Sequence, residues 1–267
     1  MTPRGPAHPD GPDATAAIDA TPDAKDATPE VAPDVTIVIP AYNEQARIGT
    51  TLVHTLDHLE RHHPRGEVLV VDDGSRDETA LIAEQIGRGR VRVLKQPRNL
   101  GKGAAVRRGM LEARGAYVLF MDADMSTPIE ELEKLLAIAE QGFDVVIGSR
   151  GLPDSDIRQR QPSLRELMGR GFNVIVRGLV FGGIRDTQCG FKLFRRAAAR
   201  AIFGELTLDG FAFDVEALML ARKLGYKIRE VPVTWYHAPN SKVSPLTDST
   251  RMFADVVRLR LRRRGRR

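Results

Sequence analysis

The chain has 267 residues, 42% of them hydrophobic, and a formal charge of +5, which allows a substantial core and favours one large α/β domain. Its single cysteine, Cys189, excludes an internal disulfide and any multi-cysteine metal centre, fits a reducing compartment and needs no role beyond that of a small apolar core residue. No apolar run reaches the length of about 18 residues that a simple bilayer-spanning helix needs, since the longest candidate, Phe172 to Ile184, is interrupted by Arg177.

Charge is unevenly placed. Residues 1–34 are almost all Pro, Asp, Ala and Thr, a composition that predicts a disordered acidic tail without the basic start and apolar centre of an export signal. At the other end, Arg258 to Arg267 holds seven arginines. A solvated tail, a nucleic-acid contact and a contact with anionic lipid are all compatible with such a run. Aromatic residues are only 6% of the chain and no RNA or DNA module is apparent, so nucleic acid is not expected as a partner.

From Val35 the pattern becomes regular. Val35 to Ile39 reads as a buried strand closed by Pro40, and Asn43-Glu44 opens a helix reaching about Arg61. Glu67 to Val71 is the next strand, ending in Asp72-Asp73-Gly74-Ser75, with a helix from Asp77 to Ile86. Val91 to Leu94 and Lys102 to Ala113 form a third strand and helix. Tyr117 to Met121 is an apolar strand that ends abruptly in Asp122-Ala123-Asp124. Alternation along a strand puts both carboxylates on one side, with the small Ala123 between them. Two hard oxygen ligands of this kind suit Mg2+ or Mn2+, which keep positions open for phosphate oxygens. A second Asp-x-Asp, Asp154-Ser155-Asp156, follows Pro153 in a polar stretch and reads as a solvated loop. Thr127-Pro128-Ile129-Glu130 supplies an N-cap, a first-turn proline and an acidic residue for a helix from Pro128 to Glu140, and Asp144 to Arg150 is a fifth strand.

Strands alternating with helices specify a mostly parallel sheet with helices on both faces. Polar residues gather just after its strands: Tyr42 and Glu44, Asp72 and Asp73, Asp122 and Asp124, and Arg150. In a parallel sheet these clusters share one edge, where open α/β sheets bind ligands, and a nucleoside diphosphate would use such a crevice. Neither a Gly-x-x-x-x-Gly-Lys cradle nor a Gly-x-Gly-x-x-Gly turn is present. The glycines around Lys102 either leave backbone N–H groups open to an anion or form a plain turn.

Beyond Arg150 the alternation stops. Ser163-Leu164-Arg165-Glu166 opens a helix whose apolar stripe includes Leu167, Phe172 and Ile175, fitting core packing or a membrane surface. Asp186 to Phe194, a helix after Phe213-Asp214-Val215-Glu216, a strand from Ile228 to Trp235 and a basic helix from about Thr247 to Arg264 follow. Phe253, Val256 and Val257 share a face of that last helix.

Together, Ile39-Pro40-Ala41-Tyr42-Asn43-Glu44, Val71-Asp72-Asp73-Gly74-Ser75, Gly101-Lys102-Gly103, Met121-Asp122-Ala123-Asp124 and Gly148-Ser149-Arg150 resemble a family 2 glycosyltransferase of the GT-A fold. Asp186-Thr187-Gln188-Cys189-Gly190-Phe191-Lys192-Leu193-Phe194, Phe213-Asp214-Val215-Glu216 and Trp235 with Ser241-Lys242 are most similar to dolichyl-phosphate β-glucosyltransferases. The resemblance implies a single Rossmann-like sheet over residues 35–245, with a nucleotide-sugar half at 35–150 and an acceptor half at 151–245, followed by a basic helix and tail at 246–267. It implies inverting transfer of glucose from UDP-glucose to a polyprenyl phosphate, with GDP-mannose as the alternative donor, Mg2+ or Mn2+ as cofactor, and a peripheral place on the inner face of the membrane. Relatives often carry a membrane span ahead of the catalytic domain, where this chain has the acidic segment.

By the same resemblance, Pro40, Tyr42, Glu44 and Asp73 hold the nucleoside, Asp122 and Asp124 the metal, and Arg150 and Lys242 phosphates. Ala41, Val71, Lys102 and Ala123 complete the nucleotide-sugar set. A phosphate monoester with its second pKa near ~6 is mostly dianionic at neutral pH and needs positioning more than a base. Arg150, with one or more of Arg158, Arg160, Arg165 and Arg170, is the candidate clamp. Asp186 is the candidate base or the orienter of those arginines.

Overall fold

The computed structural model describes residues 32–87, 89–158, 183–237 and 247–264, with side chains in the last segment from Thr250 to Leu261. The expectations for residues 1–31, for the helix opened by Ser163, and for Arg160, Arg165, Arg170 and Lys242 lie outside the described residues. Pro33 and Asp34, assigned to the tail by composition, already belong to the folded unit that starts at Ala32: their carbonyls accept from Ala116 and Tyr117.

The first half follows the alternation. β1 (Val35–Ala41), α1 (Ile48–His62), β2 (Glu67–Asp72), α2 (Thr79–Gly87), β3 (Val91–Lys95), α3 (Lys102–Glu112), β4 (Tyr117–Met121), a 3-10 turn (Ile129–Glu131), α4 (Leu132–Glu140) and β5 (Val145–Ser149) come in order. The remainder is β6 (Asp156–Ile157), β7 (Phe191–Arg195), α5 (Arg196–Glu205), α6 (Phe213–Lys223), β8 (Ile228–Pro232), β9 (Thr234–Trp235) and α7 (Thr247–Arg264). All seven residues of β1 are buried, as expected of a central strand covered on both faces.

The seven-stranded sheet has the order β3-β2-β1-β4-β7-β5-β8. Neighbours are parallel except where β7 runs antiparallel between β4 and β5. Because β7 begins where β4 ends, with Phe191 opposite Met121, the loop leading into it arrives at the same edge as Asp122. Core residues of α1, α2 and α4 cover one face, and those of α3, α5, α6 and α7 cover the other. Phe120, Phe191, Phe194 and Phe213 are fully buried, each contributing roughly 1.5–3 kcal/mol of transfer free energy.

Three local expectations are corrected. α1 starts at Ile48 rather than near Glu44, because Asn43 adopts a left-handed φ of 53°. The N–H groups of Asn43, Glu44 and Gln45 then donate to Ser75, Thr79 and Asp77 across the loop gap. The Pro128 helix begins as the 3-10 turn, and Thr127 makes no cap; its hydroxyl faces the Cys189 thiol at 3.8 Å. In α7 the inward residues are Met252, Val256 and Leu259, while Phe253 is exposed. Asp154 and Asp156 are exposed while Ser155 is half-buried, its hydroxyl donating to the Ser149 carbonyl, and Asp156 also enters the short parallel β6–β9 pair.

Candidate active site

The carboxyl ends of β1, β2 and β4 open on a cavity of about 540 Å3. Pro40, Ala41, Tyr42, Glu44, Asp73, Lys102, Asp122, Ala123 and Asp124 all line it, so acids from three strand ends meet in one crevice. The segment around Gly210-Phe211 and the start of α7, through Arg251, Met252 and Asp255, close another side.

Each acid is held differently. Asp73 is 3% exposed; Gln96 and the Leu100 N–H donate to its Oδ1 at 2.6 and 2.8 Å, and the Gly101 N–H to Oδ2 at 2.9 Å. Burial pushes its pKa up against those hydrogen bonds. One lone-pair direction, on Oδ2, remains for a ligand after those three bonds, on a count of roughly four per carboxylate. Glu44 accepts from its own neighbour Arg47 at 2.7 Å and faces the cavity with it.

Asp124 accepts from the Ser126 N–H at 3.0 Å, which fixes a tight turn around Met125. Ala123, between the acids, receives the Thr51 hydroxyl on its carbonyl at 2.7 Å, so α1 supports the loop from behind. Asp122 is fixed through its backbone N–H to Gly190 at 3.0 Å. Gly190 must be glycine, since a Cβ there would lie 2.0 Å from Asp122 Oδ2.

Lys102 Nζ sits 2.6 Å from Asp122 Oδ1 as an ion pair, yet Oδ1 is buried and has no hydrogen bond of acceptable angle. The distance establishes the charge contact, and the angle leaves a lone pair of Oδ1 unmet. A buried carboxylate oxygen without a donor, two residues from a second carboxylate on the same cavity, fits a hard divalent cation of the Mg2+ or Mn2+ kind. The Lys102 pKa is raised: burial opposes the charge, but Asp122, Asp214 and Asp124 outweigh it.

Beneath this layer lies a pair that sequence reasoning gave no role. Lys192, 1% exposed, donates to Asp214 Oδ1 at 2.5 Å and to the Cys189 carbonyl at 2.5 Å. Both lysines lean on the Phe120 ring, with Nζ 5.4 Å (Lys102) and 5.7 Å (Lys192) from its centroid. Burial raises the Asp214 pKa, with Lys192 opposing. A lysine inside the apolar run Phe191 to Phe194 was the available signal, because a buried ammonium requires a carboxylate partner.

Arg150 is gripped by Asp186: Nε and Nη2 donate at 2.7 and 3.0 Å, and the Arg150 backbone N–H at 3.0 Å. Asp186 is 2% exposed and its pKa falls to about 2, because Arg150 and the Gln188 N–H overcome the burial that would raise it. The geometry is that of an orienter for Arg150, with both oxygens engaged. Trp235 also flanks the guanidinium, its ring centroid 5.6 Å away. Arg158 donates its N–H to the Trp235 carbonyl and pairs with Asp156 on the surface, so the structure brings it to the strand beside Arg150.

The Val71 side chain lies away from the cavity, and of the two readings for the start of α3 the closed one holds. Val71 is wholly buried and packs under α3 against the core, so its side chain has no access to a ligand. The start of α3 is not open to an anion: the Gly103 and Ala104 N–H groups both donate to the Asp209 carbonyl. Gly101 permits that close approach with φ 106°, since a Cβ there would meet the Asp209 oxygen at 2.4 Å. Glu216, accepting from Thr207 and Leu208, holds the covering segment in place. Cys189 is inert in this setting, its pKa pushed up to about 11 by burial.

A helix-flanked sheet with one antiparallel insertion and an acid-lined carboxyl edge defines a glycosyltransferase of the GT-A fold. Solved structures share that fold. The glucosyl-3-phosphoglycerate synthase from Mycobacterium tuberculosis, in complex with Mn2+, UDP and glucosyl-3-phosphoglycerate, superposes with TM-score 0.64 and 21% identity over 85% of this chain and 80% of that one. The mannosyl-3-phosphoglycerate synthase from Rubrobacter xylanophilus gives 0.66 and 23% over 88% and 76%. The glycosyl transferase family 2 model matches residues 36–203, and the chain belongs to that family. Among its relatives are the dolichyl-phosphate beta-glucosyltransferases of Dictyostelium discoideum, 39% identical over 85% of this chain and 74% of that protein, and of Homo sapiens, 36% identical over 85% and 75%.

Proposed function

We propose that the protein is an inverting transferase that moves glucose from UDP-glucose to a polyprenyl phosphate of the dolichyl type. The observation that carries this reading is the 39% identity, over 85% of the chain, to a relative named dolichyl-phosphate beta-glucosyltransferase. The cavity that gathers Asp73, Lys102, Asp122 and Asp124 supports it from the geometry.

In this reading Pro40, Ala41, Tyr42, Glu44 and Asp73 face the nucleoside, and Asp122 and Asp124 hold the divalent cation. When bound, that cation supplies Lewis-acid stabilisation of the charge left on the departing diphosphate. Lys102, kept protonated beside Asp122, adds positive charge to the same wall. An oxygen of the acceptor phosphate attacks the anomeric carbon from the face opposite UDP, the bond to the β-phosphate oxygen breaks, and the configuration inverts. A phosphate dianion carries no proton to remove, so no general base is required. Arg150 positions the acceptor phosphate, and Asp186 fixes the guanidinium plane so that its remaining N–H groups point one way. The second arginines of the clamp are drawn from Arg158, Arg160, Arg165 and Arg170, with Lys242 on the donor phosphates.

No helix among the described residues is long and apolar enough to cross a membrane. The lipid acceptor then calls for peripheral association with the inner membrane face, and the arginines and exposed Phe253 and Leu261 of α7 supply cations and apolar side chains for it.

Incubation with a polyprenyl phosphate, Mg2+ or Mn2+ and labelled UDP-glucose or GDP-mannose tests the reading. A glucosyl lipid is expected from UDP-glucose. Absence of labelled lipid from both donors removes the reading, and a preference for GDP-mannose replaces the sugar.

A further inference from the structure

A second cluster of metal-ligating side chains lies apart from the acid-lined cavity. His58 Nε2 and His63 Nε2 both sit 2.9 Å from the same oxygen, Glu133 Oε1. The three ligand atoms lie within 4.8 Å of one another. His58 is in the last turns of α1, His63 just beyond its end, and Glu133 in the first turn of α4. We propose that His58, His63 and Glu133 form a binding site for a divalent ion of the zinc type, clamping the end of α1 to the start of α4.

The donor set argues for the class of ion. Two imidazoles and one carboxylate are the ligands of borderline metals such as Zn2+, whereas Mg2+ selects oxygen-only sites. Ligands at ~2.05 Å on a tetrahedral ion stand roughly 3.3 Å apart, so each nitrogen needs only a small outward shift from Glu133 to admit one. The site is half built into the protein. The His58 side chain is 6% exposed and that of His63 17%, while Glu133 at 46% leaves an approach from solvent. His62, ring centroid 4.7 Å from that of His58, stands next to the cluster. Without an ion, two imidazole N–H groups share one carboxylate oxygen and hold Glu133 below the usual carboxylate range despite its partial burial.

The site also has a mechanical connection to the catalytic edge. α1 donates the Thr51 hydroxyl to the Ala123 carbonyl, and α4 follows the Asp122-Ala123-Asp124 loop by way of the 3-10 turn Ile129–Glu131. A clamp between these helices steadies both supports of that loop.

The test uses the untagged full chain, stripped of metal and titrated with ZnCl2 by calorimetry in saturating Mg2+, with thermal unfolding followed in parallel. A single Zn2+ per chain and a raised Tm are expected. His63→Ala and Glu133→Gln, both at partly exposed positions that should tolerate change, are expected to weaken Zn2+ binding by at least about tenfold and to abolish the Tm shift. Asp124→Asn should bind Zn2+ as the unaltered chain does. Binding that survives His63→Ala and Glu133→Gln, binding lost in Asp124→Asn, or no binding at all overturns the proposal. None of these outcomes depends on glucosyl transfer, so the result stands apart from that of the donor assay.

Discussion

Two lysine–aspartate pairs lie on the same phenylalanine and differ in one respect, access to water. Lys102 and Asp122 are 26% and 30% exposed at the cavity, whereas Lys192 and Asp214 are 1% and 6% exposed in the layer below. An ion pair at the water's edge contributes little to folding, and a ligand can open it at small cost. A buried pair has already lost its hydration, so each charge depends on the other. The upper pair can therefore exchange partners with substrate and cation, while the lower one fixes where the upper pair stands. Lys192 does this through the Cys189 carbonyl, one residue before the Gly190 that receives the Asp122 N–H.

The largest effect should come from breaking the lower pair. Lys192→Met leaves Asp214 buried without a counter-charge and is expected to lower the unfolding free energy by about 3–5 kcal/mol, read as an early urea midpoint. Adding Asp214→Leu to the same chain should restore most of that loss. A single substitution that costs under about 1 kcal/mol would mean the pair is not the buried scaffold described.

The upper pair should respond in the opposite sense. Asp122→Asn is expected to reduce kcat/KM by about 100-fold or more, in line with other lost transition-state electrostatic contacts, while stability stays within about 1 kcal/mol. Parallel activity and unfolding curves check this. Equal losses in both measurements would erase the distinction between the pairs.

That distinction was only half readable in advance. Asp122 and Asp124 stood out because a short apolar strand ends in them, and the other strand ends followed the same rule, so the edge cluster was predictable from alternation alone. The antiparallel β7 was not. Its sequence, Phe191-Lys192-Leu193-Phe194-Arg195, carries a lysine where a central strand should be apolar, and the reason lies in Asp214 on a helix 22 residues away in sequence. The same applies to the start of α3, whose N–H groups are taken by Asp209 in a distant loop, and to α1, displaced by the left-handed Asn43. Local pattern carries no information about such partners. In α7 the apolar residues fit two neighbouring faces, and packing against the core chose Met252, Val256 and Leu259.

A third pair, Arg150 with Asp186, joins a partly exposed guanidinium to a buried carboxylate and extends the comparison to pH. Asp186 is held at about 2 against an ordinary 3.8, which contributes about 2 kcal/mol at neutral pH. For a depressed carboxyl that stability is present above the ordinary value and lost as pH falls through the folded one. Asp73 and Asp214 have raised values and the opposite sign, so they do not produce a loss on this limb. Unfolding free energies of the unaltered chain and of Asp186→Asn should therefore converge between about pH 4 and pH 2. A constant gap across that window would mean Asp186 acts through shape rather than charge.

The smallest effect, and the most specific, concerns the geometry of Arg150. Lysine keeps the charge but not the planar fork, so Arg150→Lys retains one bond to Asp186 and loses the fixed orientation of the second. If Arg150 positions the acceptor phosphate, KM for the polyprenyl phosphate should rise by about tenfold, the equivalent of one charge-assisted hydrogen bond. KM for the nucleotide sugar should change little, since Arg150 is not among the residues lining the Asp73–Asp124 cavity. The split between the two constants is the informative reading. A rise confined to the donor would move Arg150 from the acceptor to the diphosphate and make the Asp186 grip a device for holding UDP.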